Sequence, residues 1–122
     1  AMKDQLRIKY AKHGVEPYSR FEVWAPAARV KAIAHRFQLD SGVVTPILPF
    51  NGDFQSVAYL KKNILQLGYN LGPYKKVVII GPGGGSDVLS ALTFGNKDIT
   101  AVEINSGIEG MMKKEFAHVN GN

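Results

Sequence analysis

The residues able to do chemistry gather in one short stretch. Gly81-Pro82-Gly83-Gly84-Gly85-Ser86-Asp87 interrupts the apolar run Val77–Ile80, and Glu103 closes the next apolar run, residues 99–103. Glycines after a strand permit positive φ and let a ligand come close to the backbone. The amides of a following helix point into the same crevice, because its first turn has no internal acceptors. Spacing separates the possible ligands. A phosphate-binding P-loop needs Lys-Ser/Thr after its last glycine, and no lysine follows here. The dinucleotide fingerprint Gly-x-Gly-x-x-Gly fails on the frame beginning at Gly81, because its last position is Ser86. What fits is Gly81-x-Gly83-x-Gly85, with an acid at about the 20-residue spacing of a ribose-binding carboxylate. An ionised carboxylate is all acceptor, so one side chain can take both ribose hydroxyls. The competing reading is a tight strand–helix turn whose strand-end glutamate binds nothing.

Other chemistry is sparse. There are no cysteines, which excludes disulfides and thiolate metal sites. The histidines, His13, His35 and His118, are far apart in sequence and no pair has metal-ligand spacing; His35 and His118 read as surface or internally satisfied groups. Tyr18 and Trp24 flank an alternating strand and read as packing. Met111 and Met112 read as core filler on a helix face. No catalytic residue and no metal site is assigned.

The elements around the turn follow from periodicity. Val77–Ile80 is apolar at every position, which predicts a strand covered on both faces, as in parallel sheets. Residues 87–94 predict a helix ending at Gly95, and residues 99–103 a second strand. Ser106-Gly107-Ile108-Glu109 has the form of a capping box, followed by Ile108, Met111, Met112, Phe116 and Val119 at helical spacing. The second half thus reads strand–helix–strand–helix.

Upstream, Asp53 suits an N-cap for a helix carrying Phe54, Val57, Leu60, Ile64 and Leu67, with Gly68 as its stop. Residues 19–24 alternate as a strand, and residues 6–9 do so weakly. Residues 26–40 leave helix and strand both open. Residues 42–50 are extended, since Pro46 and Pro49 push their predecessors out of helical space.

Composition is that of a globular chain, 45% apolar and 20% charged, and 122 residues suffice for one small core. The net charge of +5 sits in the first half: residues 1–36 carry eight Lys/Arg against three Asp/Glu, and residues 77–122 three against five. The basic residues are scattered singly, with no arginine-rich run or aromatic–basic interleave, so nucleic acid is not an expected partner. No apolar run has membrane length and no signal peptide opens the sequence, so a cytoplasmic location is the default and no membrane association is expected. Ala1 before Met2 reads as a cloning remnant.

Residues 69–108, "YNLGPYKKVVIIGPGGGSDVLSALTFGNKDITAVEINSGI", resemble the first motifs of the class I S-adenosylmethionine-dependent methyltransferases, and within them the spermidine-synthase-like proteins. "YSRFEVW" and "LDSGVVTPI" resemble the strand-rich N-terminal segment of that group. The resemblance implies an α/β fold: a partial Rossmann-like βαβα unit preceded by a small strand-rich segment. It implies that residues 1–52 form that segment and residues 53–122 a truncated nucleoside-binding domain, since the family continues into further strands beyond the point where this chain stops. The implied ligand is S-adenosylmethionine or a related adenosyl compound, weakly held. The turn Gly81, Pro82, Gly83, Gly84 and Gly85 would cradle its methionine part. Glu103 would bind the ribose, Ile104 would lie beside the adenine, and Asp87 would meet the amino group. Polyamine synthases carry an acid where this chain has Gly84, which weighs against an aminopropyl donor.

The family's activity is methyl or aminopropyl transfer. With the acceptor half missing, no turnover is expected of this chain alone. The alternative is a non-enzymatic binding or assembly module that keeps the turn for folding. A homodimer is also expected. In the implied fold Val77–Ile80 is a central strand, and here one of its edges has no partner within the sequence.

Overall fold

The computed structural model describes residues 8, 10, 11, 14–40 and 42–119. The strand expected at residues 6–9 lies, apart from Ile8, outside these, as does His13. The fold is mixed α/β. Two short antiparallel strands, β1 (Tyr10–Ala11) and β2 (Gly14–Val15), precede a four-stranded antiparallel sheet. Its strands β3 (Phe21–Trp24), β4 (Arg29–Ala32), β5 (Arg36–Leu39) and β6 (Val43–Pro46) lie side by side in chain order. The ambiguous residues 26–40 therefore resolve as a hairpin, β4 to β5, closed by the reciprocal bonds between Ile33 and Arg36 at 2.9 and 3.2 Å. Pro46 is tolerated because β6 is an edge strand.

Alternation divides this sheet into two unlike faces. One carries Phe21, Val30, Ala32 and Phe37 into the main core, where they meet Ile47, Ile108, Met111 and Phe116. Phe116 stands edge-on to Phe37 at 5.6 Å and to Phe21 at 6.0 Å, contacts that each add about 0.5–1.5 kcal/mol beyond area burial. The other face holds charge. Arg29 and Lys31 are buried there, and both reach the buried Glu16, each at 2.7 Å.

From residue 53 the expected single helix is replaced by two 3-10 segments, Ala58–Lys62 and Ile64–Leu71, divided at the extended Asn63. The Asp53 carboxylate accepts the Gln55 amide at 2.9 Å in a local turn and caps no α-helix. The reason lies in burial: of the apolar stripe, Val57 and Leu60 are buried, while Ile64 and Leu67 stand in solvent. The buried side chain of the second segment is Gln66.

The second half is a strand–helix–strand–helix run. β7 (Val77–Ile80) and β8 (Ile99–Val102) pair in parallel, from Val77 opposite Ile99 to Ile80 opposite Val102. Helix α1 (Ser86–Thr93) connects them and α2 (Ser106–Lys113) follows. Val77 and Ile79 pack on Ala91 of α1, with Tyr69, Val88 and Ile99 around them. Val78, Ile80 and Val102 are exposed at 60, 86 and 52%. The expectation of a strand covered on both faces is therefore corrected: one face is covered and one is open. The cause is the course of α2, which packs Ile108 and Met111 against the antiparallel sheet. The cap of α2 is also corrected, since the Asn105 side chain, not Ser106, accepts the Gly107 amide at 2.9 Å. Among the described residues no helix is long and apolar enough to cross a membrane.

Candidate functional site

The glycine turn leaves β7 through Gly81 and enters α1 through Gly85, and Gly81, Gly83 and Gly85 all have positive φ. These are conformations that an L side chain enters only at a cost. What the turn does with its amides differs from the sequence expectation. Gly81 N–H donates to the Val102 carbonyl at 2.8 Å and Gly85 N–H to the Pro82 carbonyl at 2.9 Å. Gly83 N–H donates to Glu103 Oε2 at 3.1 Å, and Gly84 N–H to Thr45 Oγ1 at 3.1 Å. All four glycine amides thus have acceptors within the protein. The amides left to a ligand are those of Ser86, Asp87 and Val88, which precede the first bond of the helix, Leu89 N–H to the Gly85 carbonyl.

Thr45 and Pro46 of β6 explain two of the glycines. A Cβ on Gly83 would stand 2.5 Å from Thr45 Oγ1, and one on Gly84 would collide with the Pro46 carbonyl. Ile47, next in sequence, bridges to Gly85. The antiparallel sheet therefore grips the turn from behind. The sequence showed residues 42–50 as extended and carried no sign of this contact, because nothing in a Thr-Pro-Ile string marks what it packs against.

Glu103 is half-buried and doubly held. Oε2 accepts from Gly83, and Oε1 accepts from the Asn105 amide at 2.8 Å. It lies with Pro82, Gly83 and Gly85 on a cavity of about 820 Å³. The walls of that cavity are apolar side chains of the two helices, Val88, Leu89 and Leu92 from α1 and Ile108 and Met112 from α2, with Phe50 at one side. Ala101 and Val102 also line it, as do Glu109 and Lys113, which are joined at 2.7 Å and exposed to solvent. The neighbouring ammonium of Lys113 holds the Glu109 carboxyl below its ordinary pKa. None of these helical residues was singled out from sequence as lining a site. Their signal was present as i, i+4 pairs, Val88 with Leu92 and Ile108 with Met112, but such pairs read equally well as core.

The remaining expected residues lie elsewhere. Asp87 accepts from Gln66 Nε2 at 3.1 Å and belongs to a second cavity of about 490 Å³, shared with Leu65, Tyr69, Tyr74 and Val78. There the Tyr69 hydroxyl pKa is raised, first by burial and then by the Asp87 charge. Ile104 is 86% exposed and lines neither cavity. The structure thus brings Pro82, Gly83, Gly85 and Glu103 together, turns Gly84 toward β6, and sets Asp87 and Ile104 apart. Among the described residues no three His, Asp or Glu side chains gather as a metal site would need.

Comparison of the chain with protein-family models, with curated proteins and with solved structures finds no match.

Proposed function

We propose that the cavity beside the glycine turn binds the adenosyl part of S-adenosylmethionine or a related nucleoside, in a partial Rossmann-like unit of the methyltransferase and spermidine-synthase-like kind. One observation carries this: the Glu103 carboxylate is fixed at the cavity by two backbone amides. Two accepted bonds leave such a carboxylate about two further lone-pair sites, enough for a pair of ribose hydroxyls. The same arrangement disfavours a phosphate. The glycine amides that would hold one are spent inside the protein, and a fixed negative charge stands where it would enter. A neutral or cationic nucleoside derivative suits the site better than a nucleotide. Binding, not transfer, is what these residues supply, and with the adenine edge open it is weak.

Calorimetric titration with S-adenosylmethionine, its decarboxylated form and S-adenosylhomocysteine tests the reading. Binding that disappears in Glu103→Ala supports it, and no heat with any of the three overturns it.

A second reading has its own support. The four internally satisfied glycine amides and the fit of Gly84 against Pro46 are what a turn kept for folding requires. On that reading Glu103→Ala weakens the fold and no ligand binds, so the same titration separates the two. Self-association through the open side of β7 belongs to either reading.

A further inference from the structure

The free edge of β7 carries opposite charges at its two ends. Val77 N–H donates to the Asp98 carbonyl at 2.9 Å and Gly81 N–H to the Val102 carbonyl at 2.8 Å. By alternation the amides and carbonyls of Val78 and Ile80 point the other way, where no strand pairs with β7 among the described residues. The smaller cavity borders β7 on that side. Val78 and Ile79, Leu65 and Tyr69, and Asp87 of α1 line it, and no β8 residue does. Asp87 is half-buried, with Oδ1 accepting from Gln66 Nε2 at 3.1 Å and Oδ2 without a partner among the described residues. The buried Gln66 thus fixes a carboxylate near the C-terminal end of the strand. At the N-terminal end stand Lys75 and Lys76, exposed and in no ion pair among the described residues.

We propose that a second copy of the chain adds its β7 antiparallel to this edge, and that a lysine before one strand pairs with Asp87 of the other copy, twice in each dimer. Charge decides the direction. A strand added in parallel would set lysine beside lysine, whereas an antiparallel strand brings its lysines to the end where Asp87 waits. Pairing Val78 with Ile80 of the second copy, and the reverse, uses every free amide and carbonyl of those two residues. In that register Lys76 lies opposite Pro82 and Lys75 opposite Gly83, beside the turn that leads into α1. The four-carbon stem of either lysine then spans to Asp87. Each copy lends a cation to the other's smaller cavity, which lacks one of its own. The contact is independent of the nucleoside reading, whose cavity shares no residue with this one.

Carbodiimide cross-linking and light scattering test this on the 122-residue chain. Carbodiimide joins only amines and carboxylates in contact. A mixture of unlabelled and isotope-labelled wild type should therefore yield a link from Lys75 or Lys76 of one copy to Asp87 of the other, read by mass spectrometry. Asp87→Lys sets like charges together and should weaken the dimer about tenfold or more, and Lys75→Glu combined with Lys76→Glu should do the same. Mixing these two variants, each shown to be folded by circular dichroism, should restore the dimer, because both pairs are then of opposite sign. Asp98→Lys makes the same change of charge next to β8, away from the free edge, and should keep the dimer. The wild-type cross-link carries the test even if a variant fails to fold. Absence of that link, a dimer untouched by Asp87→Lys, or no dimer from the mixed variants overturns the pairing. A wild-type monomer overturns it as well and leaves the nucleoside reading standing.

Discussion

Glu103 accepts the backbone N–H of Gly83 across the space between two parallel strand ends, at 3.1 Å, and with its other oxygen holds the Asn105 amide at 2.8 Å. One side chain thereby ties the turn after β7 to the start of α2. Glu103→Ala leaves both amides without this acceptor in a half-buried place, and the expected loss is about 1–3 kcal/mol of stability. Glu103→Gln keeps one accepting oxygen and should fall between the two. Urea denaturation reads both, and an alanine variant as stable as wild type would show that the carboxylate does not hold the turn.

Two glycines of similar appearance should respond in opposite directions. Gly84 has the Pro46 carbonyl where a Cβ would go, so Gly84→Ala must displace backbone and should cost about 1–3 kcal/mol. Gly110 lies inside α2 with nothing within 4 Å of its Cβ position, so Gly110→Ala should stabilise by about 0.5–1 kcal/mol. Thermal melts of the two variants decide. A tolerated alanine at Gly84 would mean that β6 does not press on the turn.

The contrast between these glycines also marks how far the sequence could be read. Period and punctuation located β7, α1 and β8 to within a residue, because strands and helices next to a glycine turn carry strong local signals. The extended β6 was legible for the same reason, through its prolines. What β6 packs against was not, since Thr45 and Pro46 meet Gly83 and Gly84 across 38 positions of sequence (Thr45 to Gly83). The stripe from Phe54 to Leu67 has helical period, but only Val57 and Leu60 find a surface, against Leu89, and with Ile64 and Leu67 in solvent the stretch folds as two 3-10 segments. At the site, Glu103 and the turn were legible as a pair. The use of the glycine amides inside the protein was not, because a sequence shows donors and not their acceptors.

Acid should act on the charged face of the antiparallel sheet. The guanidinium of Arg29, bonded to Glu16, and then the ammonium of Lys31 hold the Glu16 carboxyl below its ordinary value of 4.5 against the opposing effect of burial. A carboxylate with a depressed folded pKa stabilises the fold above its unfolded pKa, and that stability is lost as pH falls through the folded value. Stability should therefore be level near neutrality and decline below about pH 4.5. Glu16→Gln removes the charge that two buried cations share. It should cost about 1–3 kcal/mol at neutral pH, short of the ~3–5 kcal/mol of a broken buried pair, because Arg29 keeps Glu22 at 3.5 Å and Lys31 keeps the Pro17 carbonyl at 2.9 Å. The variant should also lose part of the acid dependence. Denaturation midpoints at pH 7 and pH 3.5 measure both, and an unchanged acid slope in Glu16→Gln would assign that slope to other carboxylates.

The open side of β7 calls for a partner. Among the described residues β7 pairs with β8 and with no other strand, and the N-terminal strands form sheets of their own rather than closing its free edge. Val78, Ile80 and Val102 lie exposed on one face beside that edge. A short apolar strand with unpaired amides and carbonyls recruits another strand, and a second copy related by a two-fold axis offers the same edge to itself. Light scattering at micromolar concentration should then give twice the monomer mass. The net charge of +5 opposes association, so the dimer should tighten as salt screens it. Ile80→Lys adds a charge to the exposed face without entering the core and should return the monomer with its melting temperature little changed. A monomer at every concentration and salt would mean that neither the edge nor the apolar face recruits a second copy.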